Sequence, residues 1–389
     1  MLVACSGAEG QDDLGAPESG IAATKAALET SRDKPSVSAI KLKTPAGQER
    51  LWVFFCTTDN RLRLGIDNGS GTFYSNTFYS LESDCADVPT AGLLRGAPER
   101  VIVFYRSTSN ELNRLLFDDV TSRTYSKDVP LGPIAGAPVI ASTRTSADTD
   151  EPTYSVVIRQ PDNTLHTWDS HAGSGRTLNP VTNAAGTATI RSANTVQALY
   201  DPLRDDYYIT GRGTANNDDQ AWVAVRSREA PSGTSYRTNG NSGFYPTGTP
   251  GLYAGSCPGG FGTCIAGRFG SSMKLGNTAS SDWDWYTLDP ATACRGEGSP
   301  TFNASPPDHN QYGYFTGATD HDLYAIVVSG LWCTKLAVHE AMSMPSMVTY
   351  AHEATMFGRD AFFKCGIGND LCYYQYDENT VTNFGFNLL

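Results

Sequence analysis

The chain has 389 residues, with 38 Gly, 21 Pro, 11% aromatic and only 18% charged residues. That is the composition of a turn-rich globular protein with enough apolar mass for a large core, and it excludes a disordered chain. Lys plus Arg number 29 against 41 Asp plus Glu, for a net charge of −12; such a surface repels polyphosphate, which excludes a broad nucleic-acid face or an anionic-membrane face. No apolar run approaches the roughly 18 residues that a bilayer span requires.

At the N-terminus, Leu2-Val3-Ala4-Cys5 resembles the lipobox of bacterial lipoproteins. The resemblance implies lipid attachment at Cys5, a signal peptide remnant before it, and a bacterial outer-membrane or other cell-surface location. Residues 6–20 are rich in Gly, Ser and acids without periodicity and read as a flexible tether. A short amphipathic stretch, Ile21–Ser31, suits a helix with little to pack on. The expected organisation is therefore a leader and tether over 1–36 and one folded domain over 37–389.

From residue 37 the chain repeats itself, and repeats decide a fold before any single motif does. Three stretches align without gaps: Trp52–Arg63 (WVFFCTTDNRLR), Ile102–Asn113 (IVFYRSTSNELN) and Ser155–His166 (SVVIRQPDNTLH). Each is a β-branched and aromatic strand, a polar turn ending in Asn60, Asn110 or Asn163, and a second strand opening at Leu62, Leu112 or Leu165, which is a hairpin. Weaker copies begin at Asp206, Cys264, Gly313 and Asp360, so a unit recurs about every fifty residues, seven times. A small-residue strand precedes each hairpin, from Val37, Thr90, Gly136, Asn194, Gly251, Pro300 and Ser346, and a Gly-, Ser-, Thr- and Tyr-rich return follows.

About four strands per unit, with no long helical pattern, predicts an all-β fold: a seven-bladed β-propeller of four-stranded antiparallel blades. A lone sheet of this kind has two apolar faces, and a ring buries both against its neighbours. The alternative is six blades with an insertion around 240–300, where the pattern is faintest.

Nine cysteines are present: Cys5, Cys56, Cys85, Cys257, Cys264, Cys294, Cys333, Cys365 and Cys372. With Cys5 set aside, eight remain for disulfides, which places the chain in an oxidising, extracellular or surface compartment. Cys257 with Cys264 and Cys365 with Cys372 share one spacing, suited to bridging a hairpin. Cys56 with Cys85 and Cys294 with Cys333 would then pair, among the many connectivities that eight cysteines allow.

The units WVFFCTTDNRLR and IVFYRSTSNELN resemble the blades of propeller lectins, the seven-bladed Photorhabdus-type lectins and more distantly the six-bladed fungal fucose-specific lectins. The resemblance implies sugar pockets between neighbouring blades and a partner that is a glycan or glycoconjugate. The fucose motif has an arginine early in the second strand and a glutamate in the third. This chain departs from it, with Trp52, Ile102, Ser155 and Asp360 at the first position and Leu64, Arg114, Thr167 and Tyr373 at the second.

A sugar site needs a flat aromatic face and planar polar groups, because a sugar ring presents both C–H and hydroxyl surfaces. Trp52, Trp168, Trp222 and Trp332 lie in or beside expected strands, with Arg106 and His166 near in sequence; Trp283 and Trp285 flank Asp284 in a loop-like context. These eight residues are the ligand-binding candidates. No nucleophile elbow, zinc-protease helix, cofactor fingerprint or metal-ligand spacing occurs, and Asp67-Asn68-Gly69-Ser70-Gly71 reads as a turn rather than a calcium loop. The expected function is carbohydrate binding without catalysis. A glycoside-cleaving enzyme and a protein-binding propeller on the same scaffold are the rival readings.

Overall fold

Each repeat unit becomes one four-stranded antiparallel sheet, and seven such sheets form a propeller. The computed structural model describes residues within 37–389 apart from short intervals, the longest of them 213–220, 239–250, 303–311 and 337–351. The expected tether and the lipobox cysteine, Cys5, lie outside the described residues.

Strands follow chain order from inside to outside in every blade. The first strands are β1 (Ser38–Lys43), β5 (Thr90–Leu94), β9 (Val139–Thr145), β13 (Gln197–Asp201), β17 (Gly251–Cys257), β21 (Thr301–Phe302) and β25 (His352–Phe357). They touch in succession around the ring, and β25 meets β1 to close it. Hydrogen bonds stitch some of these contacts: Ala91 N–H donates to Ser38 Oγ at 2.9 Å and Ile140 N–H to Thr90 Oγ1 at 3.0 Å. Close approach also demands small residues. A Cβ on Gly251 would stand 2.3 Å from the Pro300 carbonyl oxygen of the next blade. The last of these strands starts at His352 rather than at Ser346, and 346–351 lie outside the described residues. The faint region around 240–300 builds the fifth blade, β17 to β20 (Asp284–Thr287), so the six-bladed alternative is excluded.

The middle strands explain why the sequence is apolar on both sides. In β6 (Arg100–Arg106), Val101 through Tyr105 are all buried. Val101, Val103 and Tyr105 pack with Trp52 and Phe54 of the first blade, whereas Ile102 and Phe104 pack with Tyr154 and Val156 of the third. Burying each such side chain contributes about 1.5–3 kcal/mol, and no blade could collect that alone.

The hairpins after the second strands turn at Asn60, Asn110, Asn163 and Asn369, with φ of 60°, 63°, 67° and 55°. Asn tolerates the left-handed region better than other side chains, which is why it recurs there. These turns also receive the connections between blades. Cys85 N–H donates to the Asn60 carbonyl at 2.8 Å and Ala86 N–H to the Arg106 carbonyl at 2.9 Å, so the linker is clasped by both blades it joins. The end of the chain takes the same path. Leu388 N–H donates to the Asn369 carbonyl at 2.9 Å and Leu389 N–H to the Cys56 carbonyl at 3.1 Å, sealing the seventh blade to the first without strand exchange.

All four expected disulfides form: Cys56–Cys85, Cys257–Cys264, Cys294–Cys333 and Cys365–Cys372. Two staple a hairpin within one blade, and Cys56–Cys85 holds the first blade to its outgoing linker. Cys294–Cys333 ties the linker of the fifth blade to β24 (Trp332–Lys335), the outermost strand of the sixth.

Candidate functional site

One register position on the third strands faces the next blade. It is occupied by Leu64, Val225, Leu275 and Ala325 in four blades, whose seams there are apolar. The second, third and seventh blades differ, with Arg114 on β7 (Leu112–Asp119), Thr167 on β11 (Leu165–His171) and Tyr373 on β27 (Asp370–Gln375), whose hydroxyl donates to Asp360 Oδ2 at 2.7 Å.

Arg114 is 8% exposed and points into the seam between the second and third blades. Its Nη2 pairs with Asp128 Oδ2 at 2.5 Å, Nη1 reaches the Tyr154 hydroxyl at 3.5 Å, and the guanidinium lies 5.7 Å from the Tyr154 ring centroid. A buried arginine is tolerable only with such partners, and its Nε remains without one among the described residues. Asp128 sits just past β8 (Thr124–Lys127) and keeps 23% of its side chain exposed, so the outer end of the pair meets solvent. The opposing wall is β10 (Pro152–Arg159) and β11 of the third blade. Trp168 lies opposite Val156 and His166 opposite Ile158, so both turn toward the second blade. Trp168 is half-buried against the cluster that holds Phe104 and Tyr154. Across from it on β12 (Gly175–Pro180) stands Leu178, 42% exposed. The apolar step of Trp168 and Leu178 thus faces the same seam as a planar guanidinium–carboxylate pair, the two kinds of surface that a sugar ring matches.

In the next seam, between the third and fourth blades, Thr167 Oγ1 and Asn179 Nδ2 each donate to Asp169 Oδ2 at 2.7 Å. Asp169 and Thr167 are fully buried, and Asp169 Oδ1 has no partner among the described residues. This carboxylate is sealed from solvent.

A third polar group bridges the outer strands of the first two blades. Lys127 Nζ pairs with Glu82 at 2.7 Å, the Tyr125 hydroxyl donates to Glu82 Oε1 at 3.1 Å, and the Tyr105 hydroxyl donates to Asp84 Oδ1 at 3.1 Å. Burial, reinforced by Glu82, pushes the Tyr125 phenol up to about 12. Burial raises Tyr105 further, with Glu82 and Asp84 adding to it. These phenols are neutral hydrogen-bond donors, not nucleophiles.

The other candidates fall elsewhere. Trp52 and Trp222 are fully buried in the seams, where no dissolved ligand reaches them; Trp52 packs edge-on to Phe117 at 5.4 Å, and Trp222 lies over Gly211. An indole in a middle strand faces one neighbouring blade or the other, so these two serve the core. Trp285, half-buried, covers Gly276 and meets Phe269 edge-on at 4.6 Å. Trp283 lies outside the described residues. Arg106 is engaged by the linker it clasps, bonding to Asp87 at 3.2 Å, the Ala86 carbonyl at 3.1 Å and Asn110 Oδ1 at 2.5 Å. Trp332 is 43% exposed on the rim of the sixth blade. Sequence reasoning missed Asp128 and Tyr154; Arg114 was visible only as the residue standing where a glutamate was sought. The Asp67 carboxylate accepts from Leu51 N–H at 2.8 Å and Gly71 N–H at 2.9 Å, which makes its loop a self-bonded turn. Among the described residues no three His, Cys, Asp or Glu side chains group as a metal site.

No protein-family model matches the chain, and no curated protein matches it. Solved structures do. The chain is similar to the BP39L lectin from Burkholderia pseudomallei, with a TM-score of 0.64 at 12% identity over 91% of this chain and 97% of that one. A fucose-specific lectin from Aleuria aurantia gives a TM-score of 0.47 at 12% identity over 78% of this chain and 94% of that one. AofleA from Arthrobotrys oligospora gives 0.42 at 13% identity over 76% and 84%. At 12% identity the likeness to BP39L shows a shared propeller fold, and no sequence match assigns a particular lectin family.

Proposed function

We propose that this chain is an exported carbohydrate-binding propeller that holds glycans without transforming them. The observation carrying this reading is the seam between the second and third blades, which Arg114 and Tyr154, with Asp128 at its outer end, share with the open step of Trp168 and Leu178. Four other blades fill the same register position with Leu64, Val225, Leu275 and Ala325, so the polar group is not required to build the ring. The indole would take the C–H face of a pyranose, while the guanidinium and carboxylate would bond neighbouring hydroxyls. That BP39L, a neighbour in fold, carries a lectin name supports the reading. Because the fucose motif is absent at its two positions, no fucose preference is assigned. Four disulfides support an extracellular or surface location; a lipid anchor at Cys5 is proposed from the lipobox resemblance alone.

A glycan array probed with the purified protein tests the function. Binding that weakens on Trp168→Ala supports it; release of fluorophore from fluorogenic glycosides makes the protein an enzyme instead. Mass spectrometry of the exported protein tests the anchor, and an unmodified Cys5 ends that part.

A further inference from the structure

We infer that Trp332 and Asp289, at the rim between the fifth and sixth blades, form a second and independent contact for a neutral pyranose. The inference rests on the reading of the chain as a glycan binder but uses no residue of the seam described above.

Trp332 is 43% exposed, whereas the other described tryptophans are buried or half-buried. Its ring makes no aromatic or cation contact among the described residues. The backbone holds it out. Leu331, immediately before it, sits at φ 54°, a left-handed conformation unfavourable for a bulky side chain, and packs its own side chain against the core between the two blades. The turn therefore buries leucine and displays indole. It is also anchored on both sides. Asp289 N–H donates to the Leu331 carbonyl at 2.8 Å, Cys333 N–H donates to the Asp289 carbonyl at 3.2 Å, and the Cys294–Cys333 disulfide follows directly. A rigid platform loses little entropy when a ligand lands on it.

Asp289 and Trp332 are adjacent in a parallel bridge. Asp289 is exposed, and no ion pair or side-chain hydrogen bond engages its carboxylate among the described residues. An indole face beside a free carboxylate offers C–H stacking together with an acceptor for two sugar hydroxyls. The same carboxylate, on a chain of net charge −12, repels sialic and uronic acids, which is why a neutral sugar is expected.

Acrylamide quenching of tryptophan fluorescence tests this in a Trp168→Ala background, which removes the indole of the seam site from the readout, with methyl α-L-fucoside, methyl α-D-mannoside, methyl β-D-galactoside and, as the acidic probe, methyl α-sialoside. At least one neutral glycoside should lower quenching saturably while the sialoside does not. Trp332→Ala should abolish the protection and Asp289→Asn should weaken it about tenfold, both without change in Tm. Arg114→Lys should leave it intact. Protection that persists in Trp332→Ala but is lost in Arg114→Lys overturns the Trp332 site alone. Protection lost only in Trp332→Ala, with an array unaffected at Trp168, overturns the seam site instead. No protection by any neutral glycoside, or equal protection by the sialoside, also overturns the inference.

Discussion

The ring of Phe73, carried between the third and fourth strands of the first blade, stands edge-on to Phe362 of the seventh with centroids 5.6 Å apart. Phe73 also meets Tyr373 at 5.5 Å and Phe384 at 5.9 Å, so one side chain from the start of the ring is wedged among three aromatics from its end. Phe73→Ala should cost about 3–5 kcal/mol, the usual loss for a buried aromatic truncated beside partners that cannot collapse onto it. Urea unfolding followed by circular dichroism measures this; a loss under about 1 kcal/mol would mean the seam does not depend on the wedge.

The disulfides should differ in worth. Cys294–Cys333 spans 39 residues and joins two blades, whereas Cys365–Cys372 spans 7 within one hairpin. Constraint of the unfolded chain grows with loop length, so replacing the longer pair by serines should cost about 4 kcal/mol and the shorter about 2.5. Paired serine variants compared by thermal unfolding decide it, and equal losses would show that chain entropy is not the governing term.

Arg114 joins stability to recognition. Arg114→Ala removes the buried half of the ion pair with Asp128 and leaves a void against Tyr154, and should destabilise by about 3 kcal/mol. Arg114→Lys keeps the charge but loses the planar fork. It should fold with a small loss and still weaken glycan binding at least about tenfold. Array intensities and Tm measured together separate the two effects; undiminished binding in Arg114→Lys removes the guanidinium from the site.

Alkaline pH should open the ring. Burial raises Tyr373 and Tyr105 far above the ordinary 10 of a phenol and Tyr125 to about 12. A group held protonated in the fold contributes stability that is complete below its unfolded value and lost as pH climbs through the folded one. Tm should therefore stay level to about pH 10 and fall steeply toward 12, together with a rise in phenolate absorbance. Early phenolate formation without loss of structure would contradict the burial of these hydroxyls.

Local chemistry made the scaffold readable. Asn60, Asn110 and Asn163 announce hairpins because a left-handed turn selects for Asn, and two cysteine pairs announce their hairpins by spacing. What the linear pattern conceals is which seam a residue enters. Trp52, Trp168 and Trp222 all sit in strands with similar neighbours, yet only Trp168 lies on a wall with an open edge. Register, sheet twist and the neighbouring blade decide that, and none is local. Arg114 and Asp128 meet across two strands, and Tyr154 joins them from a third in another blade.

Each sheet is a run of consecutive residues, and the contact that completes the circle repeats the hydrogen bonds of an ordinary linker. The linker after the second blade repeats the join at Leu388 and Leu389, with Ile134 N–H donating to the Asn110 carbonyl at 2.8 Å and Ala135 N–H to the Arg159 carbonyl at 2.7 Å, so a rearranged chain opened between the second and third blades should rebuild the same circle.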